Sequence, residues 1–284
     1  MAEGSPVVLT IAGFDPSSGA GITADIKTIA AHGCFGVSAI TAMTVQSTQG
    51  VAKVEALKPT LITATLETLT DDLEIDAVHI GMLANAEVGQ AVASFLAKAK
   101  LTNIVLDPIL KSSSGADLLD KPGRAVLVDK LFPLAAVITP NAAEASALTG
   151  LPVTTPEQME AAADKLHGMG AKAVVVTGGD LEKAVDFLSF PGKKGFEREV
   201  FKAERQKSKS THGTGCAFST AIACHLAQKR SLPEAVLLAK AYVSAAIANG
   251  IPMGKGTGPV NHLYRMNETR RTGSANITQE HHES

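Results

Sequence analysis

Short apolar runs alternating with stretches of helical spacing constrain this chain more than any other feature. Residues 7–12, 37–45, 77–80, 104–107, 136–139 and 173–177 are such runs, rich in Val, Ile and Ala. Apolar segments this brief, without strict polar alternation, are expected of strands covered on both faces. Helical spacing lies between them at about 22–31, 60–69, 87–99, 123–131 and 156–166. Repeated strand–helix units predict an α/β fold with a mostly parallel central sheet and helices on both sides. Past residue 184 the pattern changes. Residues 184–190 and 197–202 flank a Pro–Gly turn and predict an antiparallel hairpin, followed by helices at about 215–228 and 232–249. One domain over residues 1–265 is the economical reading, and the polar, aperiodic stretch 266–284 is expected to be a disordered tail.

The composition fits that architecture. With 45% hydrophobic and 19% charged residues the chain is neither disordered nor collagen-like, and a net charge of −2 gives no electrostatic footprint for nucleic acid. Three cysteines without a CxxC spacing suggest no zinc site. No signal-peptide pattern opens the sequence and no apolar stretch is long enough to span a bilayer, so a soluble protein of the reducing cytoplasm is expected.

Ligands of open α/β sheets sit beyond the carboxyl ends of the strands. Asp15, Gln46, Met82, Asp107, Asn141 with Glu144, and the run Thr177-Gly178-Gly179-Asp180 all fall at such ends. The sharpest motif is Thr211-His212-Gly213-Thr214-Gly215-Cys216 ahead of an apolar helix. Its glycines let backbone N–H groups approach an anion, and a helix N-terminus adds partial positive charge, which suits a phosphoryl group in transfer. Cys216 falls in the first turn, where a thiol's pKa tends to drop. The bland alternative is a tight turn that starts a helix. Asp107 and Glu144 carry the carboxylates that magnesium needs, although Asn141 and Glu144 also fit a capping box. Gly19-Ala20-Gly21-Ile22-Thr23-Ala24 superficially matches a dinucleotide fingerprint. Its glycines do not directly follow the strand and no acid ends the second strand, so a substrate loop with Asp25 facing the cleft fits better. Gln46 offers a donor and an acceptor side by side, matching an amino group next to a ring nitrogen. Met82 can lie flat on a ring. No GxxxxGK[ST] loop, His-Glu-x-x-His or Gly-x-Ser-x-Gly motif is present.

Taken together, residues 11–25, Thr44-Val45-Gln46, Ile80-Gly81-Met82-Leu83, Leu106-Asp107-Pro108, Thr139-Pro140-Asn141 with Glu144, Thr211 to Cys216 and Gly258-Pro259-Val260-Asn261-His262 resemble the hydroxymethylpyrimidine/phosphomethylpyrimidine kinases of thiamine synthesis. The resemblance covers roughly residues 7–264. It implies the three-layer α/β/α sandwich of the ribokinase-like superfamily, ATP with magnesium, an aminopyrimidine alcohol as small-molecule substrate, and a homodimer. It also implies that Gln46 reads the pyrimidine edge and Met82 packs on the ring. Asp25 and the backbone of Gly13 and Val45 would line the same pocket. Gly213, Thr214 and Gly215 would form the anion hole, with Cys216 where most of the superfamily has an aspartate base. Asp107 and Glu144 would organise magnesium. Asn141, Thr177, Gly179, Thr211 and Lys240 are the expected nucleotide contacts. The sequence departs from its relatives at Ser113, where many have lysine, and at Thr177–Asp180, where they often read Lys-Gly-Gly-His. Lys111 and Lys240 are therefore the candidate phosphate cations. The competing readings are a pyridoxal or pyridoxine kinase, a non-catalytic nucleotide-binding protein and a Rossmann oxidoreductase.

Overall fold

A computed structural model describes residues 4–179, 184–204, 206 and 208–266. The expected tail from 267 onward and the strand-end residue Asp180 lie outside the described residues.

The strands are β1 (Val7–Phe14), β2 (Phe35–Ser47), β3 (Gly50–Ala56), β4 (Ala77–Ile80), β5 (Ile104–Leu106), β6 (Val137–Ile138), β7 (Val174–Gly178), β8 (Val185–Gly192) and β9 (Gly195–Lys202). They form a single sheet in the order β3-β2-β1-β4-β5-β6-β7-β8-β9. Pairing is parallel from β2 through β7 and antiparallel at both margins.

Alternation along each strand explains the two helical layers. Leu9, Ile11, Val78, Ile80, Ile104, Leu106, Ile138, Val174 and Val176 enter one core. There they meet α2 (Pro59–Asp72), α3 (Ala86–Ala99) and α6 (Pro156–Gly168). Val8, Ala77, Val105, Val137, Ala173 and Val175 point the other way, onto α1 (Gly21–Ala31), α7 (Thr214–Ala227) and α8 (Leu232–Ala248). The middle strands are buried on both faces, which is why their sequences hardly alternate. The short α4 (Lys121–Val126) runs on into a π-helical turn, Leu127–Leu131, and α5 (Ala142–Thr149) follows β6.

Several features differ from the sequence reading. β2 runs past residue 45 and pairs with β3, a strand that its polar sequence concealed. β8 joins β7 as well as β9, so the hairpin extends the main sheet. A further two-stranded pair, β10 (Ser210–His212) with β11 (Gly258–Pro259), brings the anion motif against the 258–262 segment.

Candidate active site

The site forms where the carboxyl ends of β1, β4, β5 and β6 meet the start of α7. Gly213 caps that helix with φ +81, in the left-handed region that favours glycine, and an added Cβ would collide with the Gly19 carbonyl. The loop ahead of α1 and the turn ahead of α7 are thus packed backbone to backbone. The Thr214 hydroxyl donates to the Thr211 carbonyl at 2.7 Å, which ties the turn to β10. A helix's first N–H groups have no intrahelical acceptor, so those of Thr214, Gly215 and Cys216 are available to an anion. A Cβ on Gly215 would stand 3.7 Å from Asp107 Oδ2, so the turn lies directly over that carboxylate.

Asp107 is almost wholly buried. Burial, and then the charge of Glu144, push its carboxyl up to about 8, far above the ordinary value. Two acids held close in a dry site call for a cation. Glu144 accepts from the Asn141 N–H at 2.9 Å while Asn141 Oδ1 accepts from the Glu144 N–H at 2.9 Å, completing the expected capping box. Among the described residues no group of three or more His, Cys, Asp or Glu could hold a metal. Two carboxylates fit magnesium, which keeps most of its waters and takes phosphate oxygens as further ligands.

On the opposite rim Gln46 Nε2 lies 3.2 Å from His212 Nε2, and Thr44 Oγ1 donates to Gln46 Oε1 at 3.2 Å. A Cβ on Gly13 would come within 2.9 Å of Met82 Sδ, so Met82 lies against the bare backbone of Gly13. A cavity of about 230 Å³ opens beside Gln46 and His212, bordered also by Thr48, Ser113, Ser114 and Thr257. Val45 is 61% exposed, and its backbone pairs with Lys53 of β3. Asn141 and Thr177 are bridged side by side, the Thr177 N–H donating to the Pro140 carbonyl at 2.9 Å. Gly179 follows, exposed, at the end of β7, and Thr211 is exposed on β10.

Three expectations are corrected. Asp25 does not face the cleft: it is fully buried and accepts from Thr10 Oγ1 at 2.6 Å and Thr220 Oγ1 at 2.9 Å. The Cys216 thiol is not lowered. Burial, with the charges of Asp107, Asp25 and Glu144, holds it well above its ordinary value despite a hydrogen bond from the Gly21 backbone. A helix N-terminus cannot offset burial together with three nearby acids. Lys240 is not free for a phosphate, because its ammonium donates to Asp186 Oδ2 at 2.7 Å in a nearly buried pair. Lys111 likewise pairs with Asp117 at 2.9 Å on an exposed face, whereas Ser113 Oγ approaches His212 Nδ1 at 3.5 Å.

Two site residues acquire roles that the sequence reading did not give them. Asp15 is buried and accepts from Ser17 N at 2.8 Å, Ala20 N at 2.9 Å and His212 Nε2 at 2.9 Å, so it shapes the loop ahead of α1. His79, buried on β4, contacts Asp25 and Ser219. A polar residue within an apolar strand run was the available signal.

The sequence model of the family described as Phosphomethylpyrimidine kinase matches residues 15–261. The thiamine biosynthesis bifunctional protein ThiED of Geobacter sulfurreducens is 43% identical over 265 residues, covering 93% of this chain, which spans 53% of that protein. The hydroxymethylpyrimidine/phosphomethylpyrimidine kinase of Haemophilus influenzae is 42% identical over 260 residues, covering 90% of this chain and 96% of its own. The ADP complex of Bacillus subtilis pyridoxal kinase superimposes with a TM-score of 0.83 at 36% identity, covering 93% of this chain and all of that one. With the ribokinase-like sheet and this level of identity in agreement, the chain belongs to the phosphomethylpyrimidine kinase family.

Proposed function

We propose that the protein transfers the γ-phosphoryl group of ATP to the hydroxymethyl group of 4-amino-5-hydroxymethyl-2-methylpyrimidine, and then phosphorylates the monophosphate to the diphosphate, in thiamine biosynthesis. The observation that carries this reading is the position of the Gly213–Gly215 turn over Asp107, in the same crevice that Gln46 borders through His212.

The roles follow from the chemistry available. Gln46 hydrogen-bonds the aminopyrimidine edge, and Met82 on the Gly13 backbone supports the ring. The N–H groups of the anion turn hold the phosphoryl oxygens. Asn141, Thr177, Gly179 and Thr211 border the nucleotide. Asp107 and Glu144 hold the water shell of magnesium, which when bound neutralises phosphate charge. Catalysis is then mostly positioning and charge stabilisation, since a loose phosphoryl-transfer transition state asks little of a base. Cys216 serves as a neutral thiol packed beside the reacting alcohol. Lys240 steadies the end of β7 through Asp186, whose other oxygen accepts from the Gly178 N–H at 3.1 Å.

A homodimer in the cytoplasm belongs to the same reading. The exposed Phe35 and Val45 along β2 supply apolar surface for a second copy, and light scattering after size exclusion tests the dimer. Among the described residues no helix is long and apolar enough to cross a membrane, and the three cysteines are free.

Product analysis with the pyrimidine alcohol, ATP and magnesium, resolving mono- from diphosphate, tests the assignment. The match to a pyridoxal kinase favours one second reading, phosphorylation of pyridoxal. A higher kcat/KM on pyridoxal than on the pyrimidine would establish that reading instead.

A further inference from the structure

Behind the anion turn lies a chain of buried polar groups that substrate binding does not explain. It begins at Asp25. Thr10 Oγ1 donates to Asp25 Oδ2 at 2.6 Å and Thr220 Oγ1 to Asp25 Oδ1 at 2.9 Å. His79 stands opposite Thr10 in the β1–β4 register and has no exposed surface. Its Nδ1 is 3.3 Å from Asp25 Oδ2 and 3.2 Å from Thr10 Oγ1. The Thr10 hydrogen is already given to Asp25, so Nδ1 faces acceptors only and carries a proton. On the other side of the ring Nε2 is 2.9 Å from Ser219 Oγ. That hydroxyl is 3.4 Å from Asp107 Oδ2, 3.0 Å from the Gly215 carbonyl and 3.2 Å from the Cys216 carbonyl.

Ser219 has one hydrogen to give. With a proton on Nε2, His79 donates to Ser219 Oγ, and the serine hydrogen must point away from the ring. Its acceptors are then Asp107 and the two carbonyls at the start of α7. The ionisable groups facing His79 are Asp25 from α1 and Asp107 from the end of β5. Burial drives the imidazole toward its neutral form, but the Asp25 carboxylate outweighs this and holds His79 above its ordinary value. The hydrogen bonds then diverge from His79: Nδ1–H is donated inward to Asp25, and Nε2–H outward to Ser219, whose hydroxyl is left to donate to the floor of the site.

We propose that His79 is a positioning residue for phosphoryl transfer, directing the Ser219 hydroxyl toward Asp107 and the first turn of α7. This rests on the reading of Asp107 as the magnesium-side carboxylate. His79 touches no reacting atom; it fixes the carboxylate and the helix start relative to each other. Such supporting contacts around a cation's ligands typically govern about 10–100-fold in affinity or activity.

The test compares His79→Asn with His79→Gln. The asparagine amide reaches the place of Nδ1 and keeps the contact to Asp25. The glutamine amide reaches the place of Nε2 and keeps a donor for Ser219. Steady-state kinetics with ATP and the pyrimidine alcohol, calorimetric titration of magnesium into the ADP-bound protein, and thermal unfolding are measured for both. The asparagine variant is expected to lose about tenfold or more in kcat and in magnesium affinity, with the pyrimidine KM nearly unchanged. The glutamine variant should retain most of both. In a Ser219→Ala background the two substitutions should become equivalent, since the hydroxyl that distinguishes them is gone. Equal losses for asparagine and glutamine with Ser219 intact would overturn the proposal. If either histidine variant unfolds at the assay temperature, Ser219→Ala alone decides: an unchanged kcat and magnesium affinity refutes the relay. Asp107→Asn separates the two levels. If it loses kcat while His79→Asn does not, only the relay fails; if it keeps kcat, the reading of Asp107 fails and the relay with it.

Discussion

His212 Nε2 lies 2.9 Å from Asp15 Oδ2 and binds together two segments 197 residues apart in the chain. Asp15 also gathers the N–H groups of Ser17 and Ala20, while the Gly19 carbonyl packs against Gly213. The loop that would hold the substrate and the turn that would hold the phosphoryl group are therefore one mechanical unit.

Asp15→Asn should loosen that unit. Burial raises the Asp15 carboxyl, but hydrogen bonds from His212 and Ser17 outweigh it and hold the group below its ordinary 3.8. A carboxyl lowered on folding stabilises the fold fully above its unfolded value and loses that contribution as the pH falls through the folded value. The asparagine variant is expected to lose about 1–3 kcal/mol at pH 7 and less as the pH falls below 4. Chemical denaturation across that range measures it. A constant difference from pH 7 to pH 3 would show that the charge is not what matters.

Cys216→Ser addresses the proton of the alcohol. A general base contributes about 10²–10⁴-fold to a rate. The Cys216 thiol is raised well above its ordinary value by burial and then by Asp107, so it is not ionised at neutral pH. The serine variant should therefore keep kcat within about tenfold, because a hydroxyl can take the hydrogen bond from the Gly21 backbone. A loss of about a thousandfold or more would restore the cysteine as base.

Asp107→Asn should separate stability from turnover. Burial, then Glu144, push the Asp107 carboxyl up from 3.8 to about 8. Between those values the folded protein holds a proton that the unfolded chain has released, so this group makes stability fall as the pH rises across the window. Asparagine cannot ionise. In magnesium-free buffer the variant should melt higher than the parent, with the gain growing from pH 4 to pH 8 and then levelling. Phosphoryl transfer should drop by about a hundredfold or more. A variant that melts lower at pH 8 would show that Asp107 is already neutralised by a neighbour.

The sheet was legible because two-sided burial leaves short, β-branched apolar runs between helical stretches, and runs such as Ile104-Val105-Leu106 divide between two cores residue by residue. β3 was not legible. Its sequence, Gly50-Val51-Ala52-Lys53-Val54-Glu55-Ala56, carries charges on a sheet margin, and only its partner β2 makes it a strand. The turn before α7, Asp107 and Met82 could be located because each follows a strand or opens a helix, and Gln46 because it stands next to last in β2. Asp25 and Lys240 were misjudged for a common reason. Helical spacing fixes the face of a charged residue but not what lies opposite, and Thr220 and Asp186 approach from distant parts of the chain. The Cys216 thiol was misjudged in the same way, since its burial, and then the charges of Asp107, Asp25 and Glu144 from separate elements, raise it.

The Lys240–Asp186 pair tests whether a nearly buried ion pair serves the nucleotide strand or only the fold. Asp186 accepts from Lys240 through Oδ2 and from the Gly178 N–H through Oδ1, at the point where β7 ends beside Asn141 and Thr177. Removing one partner of a buried pair leaves an uncompensated charge and costs about 3–5 kcal/mol, whereas replacing both is often close to neutral. Lys240→Met should therefore destabilise strongly, and Lys240→Met with Asp186→Leu should recover most of the loss. The double variant still lacks the carboxylate that holds the Gly178 N–H, so its ATP KM should rise by several-fold while its pyrimidine KM stays near the parent value. A double variant with recovered stability and an unchanged ATP KM would confine this pair to the fold.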